Sequence, residues 1–316
     1  MKEAKLVIIC GMSGCGKSTT SQNVSYQYTC NGIPHEWLHE EMKDHPIRWA
    51  DGGEFTVGDL NTTEGMAANI ADTYARWEAL IGEMTHKGGV YVMEGCLFQN
   101  IVRYFIPGGY PEDKIRAYYD RLFELLAPAN PHIIHLYRPD VPASFRKAFA
   151  IRGKRWESII TDSVKNYDFA DETNYQTLAR SIFAGYQGKK LAVDTTGEDW
   201  DAYHEQICSF LGIRNFYREF LPVDHPERYS GVFEYNEPGV HVDATIICEN
   251  GELFLSPDWF THISMSCIGP DVFDLQAFPM VFTYEFLGDD ATITVTGNYD
   301  WDIVGRTLKR SRGAER

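Results

Sequence analysis

No C-x-x-C pair and no cysteine–histidine spacing of the zinc-binding kind occurs in the 316 residues, although seven cysteines are present. An odd count without such spacing argues against a disulfide framework or a structural zinc site, and it is expected of free thiols in a reducing cytoplasm. No apolar run approaches the length that crosses a bilayer. The chain passes from Met1-Lys2-Glu3-Ala4 straight into an apolar strand, which leaves no room for a secretory leader. Positive charge is scarce: 29 basic side chains stand against 45 acidic ones, a net charge of −16. A field of that sign repels nucleic-acid backbones and anionic membrane surfaces, so neither is an expected partner. Internal repeats and low-complexity linkers are also missing.

What is there begins at Lys5. The apolar run Leu6-Val7-Ile8-Ile9-Cys10 leads into Gly11-Met12-Ser13-Gly14-Cys15-Gly16-Lys17-Ser18-Thr19, which fits the phosphate-loop pattern G-x-x-x-x-G-K-[ST]. The run reads as a buried parallel strand, and Ser18 to Gln27 offers the helix that the pattern requires after the loop. Gly11, Gly14 and Gly16 permit backbone angles that let successive N–H groups turn inward around a phosphate. Ser13, Cys15 and Thr19 complete the wrapping segment, and the helix start adds unpaired N–H groups and its positive dipole end. Lys17 supplies a mobile cation for the β- and γ-phosphates, and the Ser18 hydroxyl is the expected Mg²⁺ ligand. Cys15 is read as a small tolerated residue whose oxidation would block the loop.

Four further strands alternate with helices: Ile33–His39, Val90–Met93, His132–Tyr137 and Lys190–Val193. Asn61 to Lys87 is a helical stretch with Ile70, Tyr74, Trp77, Leu80, Ile81 and Met84 recurring near a period of 3.6, and Glu112–Leu126 and Asp199–Leu211 follow as helices. Strands alternating with helices predict an α/β domain over 1–214, with a parallel sheet covered on both faces. After about residue 214 the period changes to alternation between turn signals: Tyr229–Tyr235, Val242–Cys248, Glu252–Leu255, Ile263–Cys267, Met280–Phe286 and Ala291–Thr296. Residues 215–316 are therefore expected to form an antiparallel β-domain, a small barrel or a sandwich, with the basic tail from Arg306 frayed.

Ligands of open parallel sheets bind outside the C-terminal ends of the strands. Glu40 or Glu41, after the second strand, can take a proton from an attacking hydroxyl. Glu94, after the third, can serve the Mg²⁺ shell or act as the base. Arg138 stands after the fourth, and Asp194, after the fifth, is expected nearer the nucleotide base. Five basic side chains lie between Arg146 and Arg155. Among them Arg146, Arg152 and Arg155 suit a lid that closes on the charge developed in phosphoryl transfer.

With these residues assembled, the chain resembles the P-loop kinases of the nucleoside and nucleotide kinase superfamily, a group that includes thymidylate kinase, deoxynucleoside kinases and antibiotic phosphotransferases. The resemblance covers residues 1 to about 212 and rests on Gly11–Thr19, Glu40-Glu41, Glu94-Gly95, Arg146–Arg155 and the ending from Asp194-Thr195-Thr196 to Leu211. It implies a three-layer α/β/α fold with sheet order 2-3-1-4-5. It also implies a carboxylate base after the second strand and a Mg²⁺-serving one, Glu94, after the third. Deoxynucleoside and thymidylate kinases usually follow the third-strand acid with arginine, whereas here Gly95 and Cys96 follow Glu94, and the appended β-domain is also foreign to those kinases. Gln99 and Asn100 stand nearby and can hydrogen-bond a neutral acceptor. The expectation is an ATP- and Mg²⁺-dependent phosphotransferase acting on a hydroxyl of a small molecule (nucleoside-like, sugar or antibiotic), with a homodimer left open. The alternatives are a P-loop ATPase or a nucleotide-regulated switch or binding protein.

Overall fold

The computed structural model describes residues 3–47, 60, 62–151, 169–257, 260, 262–288 and 290–311. Two compact units are distinguished, the first ending at Phe216 and the second built on Tyr217–Arg316 together with Glu41–Lys43 and the segment that begins at Arg146.

In the first unit β1 (Ala4–Gly11) is buried almost throughout, as an apolar strand with neighbours on both sides requires. With β2 (His35–Leu38), β3 (Gly89–Glu94), β4 (His132–Tyr137) and β5 (Lys189–Asp194) it forms a parallel sheet in the order β2-β3-β1-β4-β5. This is the order implied by the resemblance. The register decides what gathers at the C-terminal edge. Leu38 pairs with Met93, Ile9 with Glu94, Gly11 with Leu136, and Tyr137 with Asp194. Gly11, His39, Glu94, Arg138 and Thr195 therefore emerge along one edge of the sheet.

Helices α1 (Lys17–Cys30), α2 (Thr63–Lys87), α3 (Glu112–Leu126), α4 (Val141–Ile151), α5 (Ala170–Gly185) and α6 (Trp200–Leu211) fill the connections. The Thr62 hydroxyl caps α2 by accepting the Gly65 N–H at 3.0 Å, and Gly88 at φ +76° ends it. Its apolar stripe is buried as the period predicts, with Trp77 wholly enclosed. Asp199 caps α6 through the Ala202 N–H at 3.2 Å. A π-turn over Ile101–Phe105, between β3 and α3, has no counterpart in the sequence expectations. No helix among the described residues is long and apolar enough to cross a membrane. All seven cysteines are free thiols.

The second unit is a closed antiparallel barrel, which decides between barrel and sandwich. Strands β6 (Gly231–Glu237), β7 (Val240–Glu249), β8 (Glu252–Leu255), β9 (Ile263–Gly269), β10 (Val272–Leu275), β11 (Met280–Leu287), β12 (Asp290–Gly297) and β13 (Thr307–Arg310) run up and down, and β13 closes on β6. Inward residues alternate along each strand, and Phe233, Phe273, Phe282, Tyr284, Met280 and Leu308 are among those that fill the interior. Asn250 and Gly251, both at positive φ, make the tight β7–β8 turn. The expectation of a frayed tail from Arg306 is corrected: Thr307–Arg310 is the closing strand, with Leu308 fully buried. Closing a barrel satisfies the edge N–H and C=O groups that a frayed tail would leave bare.

Candidate active site

The site is built where β1 hands over to α1. Gly11 sits at φ +148°, and a Cβ there would lie 2.2 Å from the Leu136 carbonyl oxygen, so only glycine allows the loop to leave the strand beside β4. Gly16, at φ +91°, is the residue before α1, and among the described residues no side chain caps that helix. A glycine-led helix start directly after a strand is the arrangement that binds phosphate. Lys17 Nζ donates to the Met12 carbonyl at 3.2 Å, folded back along the loop. Cys15 is fully buried, its Sγ donating to the same carbonyl at 2.9 Å, and burial pushes its thiol up from the ordinary cysteine range. A group so enclosed and so held in its protonated form is a packing residue first.

At the foot of the loop lies Glu94, the last residue of β3, with no exposed surface. The Ser18 hydroxyl donates to its Oε1. On the other oxygen, Oε2, it meets the Ser21 hydroxyl at 3.3 Å and His39 Nε2 at 3.1 Å. Burial pushes the Glu94 carboxyl up from the usual carboxylate range. His39 acts against this, the Glu40 charge adds to it, and Lys17 and the Ser18 hydroxyl pull the other way. Glu40 comes with Glu94 in the first unit, and its Oε2 accepts from Gln99 Nε2 at 2.5 Å. Gly95, at φ +67°, makes room for that contact: a Cβ there would stand 2.7 Å from Glu40 Oε2 and 2.8 Å from Gln99 Nε2. Asn100 instead donates to the Tyr118 hydroxyl at 3.1 Å.

The structure thus brings Lys17, Ser18, Glu94 and Glu40 together, in reach of one another's charge. Ser13 and Thr19 are half-buried and Gly14 is exposed along the same loop. Glu41 is grouped with the second unit. Asp194 is exposed and accepts from the Thr196 N–H at 3.0 Å and hydroxyl at 2.6 Å, closing its own turn. Arg146 is an exposed residue of α4 that, like Glu41, is grouped with the second unit, and Arg152 and Arg155 lie outside the described residues, so the lid stays an expectation of the sequence.

Three contributors went unforeseen. His39 follows β2 and reaches Glu94 only because β2 and β3 pair in parallel; Ser21 lies three residues after Ser18 on the same helix face. Thr195, fully buried after β5, donates to the Cys15 carbonyl at 3.0 Å. The Ser21 spacing was visible in the sequence, and the other two depend on the pairing of separate strands.

No protein-family model matches the chain, and no curated protein sequence does. Solved structures similar to it include deoxyadenosine kinase from M. mycoides with bound dATP, at 16% identity and a TM-score of 0.41, covering 66% of this chain and 99% of that one. The YorR protein of Bacillus subtilis in complex with phosphorylated GDP follows at 12% and 0.36, covering 66% and 95%. Shikimate kinase from Acinetobacter baumannii in complex with shikimate stands at 15% and 0.31, covering 66% and 93%. The architecture of the first unit is carried by its strand order and register, independently of these likenesses.

Proposed function

We propose that the chain is an ATP-dependent kinase that transfers the γ-phosphoryl group to a hydroxyl of a small molecule, nucleoside-like, sugar or antibiotic. One observation carries the reading: the Ser18 hydroxyl at the start of α1 meets the buried Glu94 carboxylate, with the carboxylate of Glu40 close enough to act on its charge. A carboxylate positioned separately from the metal-serving one is what a base for an acceptor hydroxyl requires.

The donor set suits Mg²⁺. Ser18 and Glu94 would hold it through hard oxygen atoms, and a carboxylate with no exposed surface has an evident use for a cation. Among the described residues no group of three or more His, Cys, Asp or Glu side chains forms a metal cage. A divalent ion that shares its shell with phosphates and water needs none. When bound, the ion supplies neutralisation of phosphate charge.

The chain's own groups divide the remaining work. The N–H groups from Ser13 to Thr19 cradle the phosphates, and Lys17 swings from the Met12 carbonyl to the transferred group. Glu40, oriented by Gln99, accepts the proton of the acceptor hydroxyl, so the attacking oxygen gains nucleophilicity as its O–H bond breaks. Measuring ADP release with a panel of nucleosides, sugars and antibiotics tests the reading. Stimulation by at least one member, lost about 10²-fold or more in Lys17→Ala, is the expected result. Brisk basal hydrolysis that no acceptor stimulates would replace the kinase with an ATPase.

A further inference from the structure

The loop between β5 and α6 touches the phosphate loop from outside, in a chain of contacts that the proposed chemistry does not use. Thr195 is fully buried; its N–H donates to the Tyr137 carbonyl at 3.0 Å, which seats it beside the end of β4. Its hydroxyl has two carbonyls in range, Cys15 at 3.0 Å and Tyr137 at 3.5 Å, and the nearer takes the proton. The same hydroxyl oxygen accepts from Arg138 Nε at 3.3 Å, while Arg138 Nη2 donates to Glu198 Oε1 at 2.8 Å. Gln176 fixes the Arg138 backbone, accepting its N–H at 3.4 Å and donating to its carbonyl at 2.9 Å. One residue further along the phosphate loop, a Cβ on Gly16 would lie 2.2 Å from the Trp200 ring, so the indole is packed against the Gly16 backbone.

A peptide unit is planar and trans, so its C=O and the following N–H point in opposite directions. Whatever holds the Cys15 carbonyl outward therefore turns the Gly16 N–H toward the inside of the loop. The glycine at 16 has no side chain to set this orientation, and its φ of +91° is one that glycine leaves as easily as it enters. An external clamp supplies what the local sequence cannot.

We propose that Thr195 is a positioning residue for the phosphate loop: its hydroxyl, set by the Arg138–Glu198 pair, orients the Cys15–Gly16 peptide so that the Gly16 N–H faces the nucleotide phosphates. The inference rests on the nucleotide-binding part of the proposed function and adds a residue to it that touches neither phosphate nor acceptor. Thr195→Val keeps the shape and removes the hydroxyl, leaving the Cys15 carbonyl buried without its donor. Thr195→Ser restores the donor alone.

Calorimetric titration of the full chain with Mg·ADP tests this without requiring turnover. The expected result is affinity weakened about tenfold in Thr195→Val and returned to within about threefold of wild type in Thr195→Ser. Thermal melting of each variant without nucleotide accompanies the titration. Glu198→Gln, at a half-exposed position, is a milder probe that stays informative where Thr195→Val fails to fold, with about threefold weaker binding expected. Equal affinities for wild type, Thr195→Val and Glu198→Gln overturn the positioning role and leave the nucleotide site standing. Absence of Mg·ADP binding by the wild-type chain overturns the nucleotide site itself, and the positioning role falls with it.

Discussion

His39 Nε2 lies 3.1 Å from Glu94 Oε2, and both side chains are buried. This pair links the ends of two neighbouring strands, and it sets the charge at the foot of the phosphate loop. Burial raises the Glu94 carboxyl, and His39 beside it acts in the opposite direction. Removing the imidazole in His39→Ala therefore raises the Glu94 carboxyl further. The acidic limb of the kcat/KM profile should move to higher pH. A pH–rate profile of ADP release checks this, and an unmoved limb would mean that His39 does no more than fill space.

Gly95 is the second test, because its backbone lies against the Glu40–Gln99 contact. An alanine at φ +67° costs about 1–2 kcal/mol of backbone strain. Its Cβ would also press on Glu40 Oε2 and Gln99 Nε2, at 2.7 and 2.8 Å. Glu40 must then move from the position in which, under the proposed function, it would take the acceptor proton. Gly95→Ala should lower turnover about 10²-fold while Mg·ADP affinity stays within about threefold of wild type. Loss of both together would place Gly95 in the phosphate site rather than at the acceptor.

How much of this was legible in the sequence depends on whether a residue's reason is local. Gly11 and Gly16 announce themselves because their backbone conformations exclude other residues, and Lys17 and Ser18 follow at fixed spacing. Glu94 was readable as the end of an apolar run. His39 and Thr195 were not, since nothing near them in the chain distinguishes a buried donor from a turn residue; only the pairings β2–β3 and β4–β5 bring them to Glu94 and Cys15. The same holds in the second unit. Six strands were visible from alternation, whereas β10 and β13 are four residues each. β13 carries two basic residues and only one buried apolar one, Leu308, so it looked like a tail until β12 and β6 flanked it.

Two histidines of β4 predict a dependence of stability on pH. His132 and His135 are both lowered from 6.5 to about 4, chiefly by burial. His135 packs between Phe98 and Phe183, and its Nδ1 has no hydrogen-bond partner among the described residues. With a folded value below the unfolded one, the unfolded chain takes up the proton first as pH falls. Stability is therefore complete above about 6.5, declines through the window down to about 4, and loses nothing more from these groups below it. His135 contributes a slope of up to about 1.4 kcal/mol per pH unit inside that window. Urea unfolding between about pH 7 and pH 5 should show the decline, and His135→Leu should make it shallower. Parallel curves for the variant and the wild type would show that His135 is protonated in the folded protein.

The barrel offers the sharpest contrast between a tail and a strand. Leu308 is fully enclosed, whereas its neighbour Lys309 points outward and is exposed. Lys309 nonetheless pairs through its backbone with Thr292 on one side and Glu234 on the other, so both residues belong to the strand that closes the ring. Were this segment frayed, truncating either side chain would leave stability unchanged. In a closed barrel the two must differ, because only Leu308 leaves a cavity. Leu308→Ala should destabilise the second unit by about 2–5 kcal/mol, and Lys309→Ala by no more than about 0.5 kcal/mol. Urea unfolding of the full-length variants measures both. Equal midpoints would return the last strand to the solvent and reopen the barrel at β6 and β12.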